Sequence, residues 1–96
     1  MIQTMENETQ TIEQPRKNDT RAKNLQKALA KSIRETRENL QLSQLELAMK
    51  AGLCRSYISD VERGARSISL SNLTYLAGAL EMDVWQLVQV AEQRQQ

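Results

Sequence analysis

Gln44, Arg55, Ser56, Tyr57, Ser59, Asp60 and Arg66 crowd the middle of the chain with side chains that bond polar partners. A guanidinium fork bonds two acceptors at once, hydroxyls donate and accept, and a carboxylate only accepts. Such a set recognises a polar ligand better than it transforms one. The sequence has no His, the commonest general base and metal ligand, and its one Cys, Cys54, can form neither an internal disulfide nor a thiolate zinc site. No pair of groups has the look of an acid and a base. We therefore expect no enzyme, no metal and no cofactor. With aromatics at 3%, a large pocket for a small-molecule ligand is not expected either.

The chain is 96 residues long, enough for one domain. Its net charge of +1 conceals a segregation. Residues 1–20 carry two basic against four acidic side chains, residues 21–72 ten against five, and residues 73–96 one against three. The middle can meet a polyanion and the ends cannot. No apolar run approaches a membrane span, and the amino terminus has no basic-then-apolar signal, so a soluble, cytoplasmic protein is expected.

Residues 1–20 scatter Ile2, Met5 and Ile12 among polar residues before Pro15 and read as a disordered polar leader, leaving 21–96 to fold. From there every periodicity is helical, and the expected class is all-α with five helices. A first helix over about 20–39 carries the stripe Leu25, Leu29, Ile33 and Leu40, with Asp19 or Thr20 as cap. A second opens at Ser43, where Ser43-Gln44-Leu45-Glu46 is a capping box and Leu42 and Leu47 form its hydrophobic staple. Gly52 ends it and lets the chain turn through a left-handed conformation. A third runs from about Arg55 to Arg63, with Cys54 as a poor cap, and stops at Gly64. A fourth follows Ser69, with the stripe Leu70, Leu73, Leu76, Ala77 and Leu80. A fifth follows Asp83, whose Asp-x-x-Gln is a second capping box.

The link between the second and third helices is too short for antiparallel axes, so they must cross steeply as a helix-turn-helix. Ala48 is small where the helices approach, and Leu47, Leu53, Ile58 and Val61 supply the seam. The stretches LSQLELAMKAGL, RSYISDVERG and ISLSNLTYLAGALEMDVWQL resemble the Cro/CI-like (XRE) family of bacterial and phage helix-turn-helix regulators, over about two-thirds of the chain. RSYISDVERGARSISL is most similar in look to the controller proteins of restriction-modification systems. Cys54 departs from the family, which has Ser or Thr there. The resemblance implies a lambda-repressor-like fold and a transcriptional regulator bound to double-stranded DNA. The alternative is a protein-interaction or antitoxin-like module that keeps the fold without the DNA.

A helix laid in the major groove by its front half shows its first turn and one lateral face to base edges, here Arg55, Ser56, Ser59 and Asp60. Arg55 suits the O6 and N7 of guanine, or else a phosphate. Ser56 resembles a family base contact, or supports the weak cap. Tyr57 reaches a backbone phosphate, or packs against the fourth helix. Asp60 accepts from cytosine N4, or pairs within the protein. By resemblance, Gln44 bonds a phosphate, Arg66 reaches DNA beside the recognition helix, and Arg37 and Glu62 form a structural ion pair. Lys23, Lys27, Lys31 and Arg34 fall on the polar faces of the first helix, which reads as a solvated charged face or, for some of them, a graze against phosphates.

The fifth helix has more apolar residues than one core-facing stripe needs. Val84, Val88 and Ala91 share one side, and Trp85 stands on another. Two faces need two partners, so with the family's habit a homodimer through Val84, Trp85, Val88 and Ala91 is expected, with two recognition helices on a palindromic site.

Overall fold

The computed structural model describes residues 19–95. Among them lie five α-helices and no strand: α1 Asp19–Asn39, α2 Gln44–Ala51, α3 Arg55–Glu62, α4 Leu70–Ala79 and α5 Val84–Gln93. The leader expected over 1–20 lies outside the described residues, except that Asp19 and Thr20 already belong to α1.

The starts of the helices follow their local chemistry. At α2 the Glu46 amide donates to Ser43 Oγ at 3.0 Å and the Ser43 amide donates back to Glu46 Oε1 at 2.8 Å, so two orphan donors are satisfied reciprocally. At α4 the Asn72 amide donates to Ser69 Oγ at 3.1 Å. At α5 the Asp83 amide donates to Gln86 Oε1 at 2.8 Å. Cys54 gives α3 no side-chain cap bond.

The ends are less regular. Gly52 closes α2 with φ 71, where a Cβ would be strained, and its amide returns to the carbonyl of Ala48 or Met49. The turns after α1 and α4 use the same left-handed region without glycine, at Gln41 (φ 59) and Glu81 (φ 62). Neither residue type advertises that conformation.

All five helices contribute to one core. Ile33 of α1, Leu47 of α2, Ile58 of α3, Leu76 of α4 and Leu87 of α5 are fully buried, with Leu80 beside them. Burying each such side chain contributes about 1.5–3 kcal/mol. The apolar stripes read from sequence shrink at their edges: Leu40 and Leu70 are exposed, Leu40 because it follows the last turn of α1 and Leu70 because it opens α4 on the outer side. The deepest packing partner of α1 is α5, and that of α2 is α3. A polar latch fastens the first of these. Arg94 Nε donates to the buried Ser32 Oγ at 2.8 Å, Ser32 donates to the Ala28 carbonyl at 3.0 Å, and Arg94 also pairs with Glu35. No described helix is long and apolar enough to cross a membrane.

Candidate nucleic-acid interface

The link Gly52–Cys54 joins α2 to α3, and the buried Leu47, Ala48, Ile58 and Val61 hold the two helices together. This packing points the back of α3 inward and leaves its front turn, Arg55 and Ser56, exposed. Ser59 and Asp60, one turn further along, are half-buried.

Arg55 is exposed but not unguided. Its Nη1 donates to Gln44 Oε1 at 3.4 Å, while Gln44 Nε2 donates to Glu62 Oε1 at 3.1 Å. Glu62 in turn accepts from Arg37 Nε at 2.7 Å and from Nη2 at 2.9 Å, a bidentate pair that is almost dry. Arg37 Nη1 also donates to the Leu42 carbonyl at 2.8 Å, tying the end of α1 to the entry of α2. The hydrogen bonds it donates to Glu62 raise the pKa of the Arg37 guanidinium above its ordinary value against the opposing effect of burial. A relay therefore runs from a buried ion pair through the first residue of α2 to the first residue of α3. The Gln44 amide donates one of its two N–H groups and accepts one hydrogen bond within the protein, a positioning role beside its expected contact with phosphate.

Asp60 uses both carboxylate oxygens internally. One pairs with Arg63, and the other lies 3.8 Å from Arg66 Nε. The guanidinium of Arg66 stands 5.2 Å from the centre of the Tyr57 ring, within cation–π range. Of the two roles open to Asp60, pairing within the protein is the one this geometry takes. Arg63 escaped the reading of the sequence, although an Asp followed three residues later by Arg on a helix is a recognised pairing distance.

Of the two roles open to Tyr57, packing is the one this geometry takes: its hydroxyl is buried without a hydrogen-bond partner among the described residues and its ring lies against the core. One expected site is corrected. Ala91 is wholly buried, because it shares with Leu87 the side of α5 that lies in the core, with Val84 and Val88 packed against it. It therefore has no surface for a second copy. Trp85, at 62% exposed, is the most exposed of the large apolar side chains that α5 turns outward, with Val90 the other.

Comparison with known proteins agrees with this architecture. The helix-turn-helix family profile matches residues 33–84. Control protein C.SmaI of Serratia marcescens is 42% identical over 64 residues, covering 67% of this chain and 76% of that protein. The immunity repressor of Bacillus phage phi105 is 45% identical over 56 residues, 58% of this chain but 39% of the repressor, so the chain spans well under half of that relative. The crystal structure of the restriction-modification controller protein C.AhdI from Aeromonas hydrophila superposes with a TM-score of 0.62 at 43% identity, over 64% of this chain and 92% of that one. The chain belongs to the Cro/CI-like (XRE-type) helix-turn-helix family of DNA-binding transcriptional regulators.

Proposed function

We propose that the protein works as a homodimer on an approximately palindromic operator, with α3 of each copy in the major groove, and that it regulates its own operon in a bacterial or phage cytoplasm. The observation that carries this reading is the guided exposure of Arg55, open to a duplex yet tethered through Gln44 to a buried ion pair. A base-reading arginine needs both access and a defined direction.

Arg55 takes guanine O6 and N7, Ser56 and Ser59 add hydroxyl contacts, and Arg63 and Arg66 exchange Asp60 for phosphate. Trp85 anchors the second copy, flanked by the outer edges of Val84 and Val88; a lone exposed indole is a common interface hot spot. The names of the relatives, a control protein and an immunity repressor, fit autoregulation. No catalytic step enters this account.

The test is a duplex titration at two salt concentrations. Phosphate contacts make affinity fall steeply with salt, and a protein-interaction module would give a flat response. Sedimentation of Trp85→Ala should show a monomer with an unchanged helical spectrum.

A further inference from the structure

Lys23, Lys27 and Lys31 recur at every fourth position of α1, so they stand in a row along one face, about 12 Å from end to end. All three are exposed, and none enters an ion pair among the described residues. Like charges at this spacing weaken a helix. The row also lies before the segment that matches the family profile.

The row abuts the recognition end of the molecule. Lys23 and Lys27 line one depression together with Gly64, Arg66 and Ser67 of the loop that leaves α3. Ser67 Oγ lies 3.3 Å from Gln26 Oε1, within hydrogen-bond distance, and a Cβ on Gly64 would stand 4.0 Å from Lys27 Cγ. At its far end Lys27 and Lys31 line a second depression with Arg94, which is paired with Glu35. A line of cations thus begins where Arg66 ends.

We propose that Lys23, Lys27 and Lys31 form a track for the sugar-phosphate backbone, which extends the DNA footprint outward from each half-site without reading sequence. The inference rests on the regulator reading above. Continuity with Arg66 and the row of positive charge favour a duplex backbone as occupant. Ammonium groups on flexible stems suit point contacts to phosphate.

The experiment compares the full chain with the variant Lys23→Gln/Lys27→Gln/Lys31→Gln on two probes: a duplex of arbitrary sequence and one recovered by selection. The variant should melt like the parent and should bind both probes more weakly by the same factor. Between 50 and 200 mM salt the variant's affinity should fall about threefold less than the parent's for each lysine that touches phosphate. Equal affinity and equal salt slope for variant and parent would overturn the track while leaving the regulator reading intact. Failure of the parent to bind either duplex would overturn both.

Discussion

Two guanidinium–carboxylate clusters flank the recognition helix, and they differ in their access to water. Arg37 and Glu62 are 10% and 4% exposed, whereas Asp60 is 34% exposed and its partners Arg63 and Arg66 are 65% and 56% exposed. A dry pair is costly to break because the survivor is stranded; a wet pair has water to fall back on. The first cluster is therefore scaffold. The second keeps water as an alternative partner, which is what the proposed exchange of Asp60 for phosphate requires.

Breaking the buried side should have the largest effect. Arg37→Ala is expected to lower stability by about 3–5 kcal/mol in urea unfolding, since Glu62 is left in a site that excludes water. A loss below about 1 kcal/mol would erase the contrast. Next in size is Arg55→Ala, which should remove about 1–3 kcal/mol of discrimination at one position per half-site, with thermal stability unchanged. Uniform weakening across all sequences would assign Arg55 to phosphate instead.

Asp60→Asn sharpens the exposed side. It should shift stability by less than about 1 kcal/mol and tighten binding to arbitrary duplex, because it removes a like charge from the phosphates and releases two arginines. Weaker binding on a selected site alone would make Asp60 a base acceptor. The smallest effect belongs to Glu46. Its hydrogen bonds from Ser43 hold the carboxyl below its ordinary value, so its contribution is present above the unfolded value near about 4.3 and fades as pH falls through the lower folded one. Glu46→Gln keeps a neutral capping partner and should flatten that acid dependence in thermal melts.

Legibility in the sequence tracked the range of the interaction. The caps at Ser43 and Asp83 and the turn at Gly52 are settled within a few residues, and all three appear where expected. Gln41 and Glu81 turn through left-handed conformations that close the ends of α1 and α4, where the Leu42 amide donates to the Arg37 carbonyl and the Met82 amide to the Ala77 carbonyl, but no glycine marks them beforehand. Arg37 and Glu62 lie far apart in sequence and were paired only through a family resemblance. The double role of Gln44 depends on how two helices cross, which periodicity does not encode. The error at Ala91 is of the same kind: the spacing of Val84, Val88 and Ala91 defines a face but not the neighbour that covers it.

Selecting bound duplexes from a random pool tests most directly whether the front of α3 reads DNA. The account predicts enriched sites with two-fold symmetry and half-site centres about one helical turn, ~34 Å, apart. A pool that emerges with no enriched sequence would contradict it.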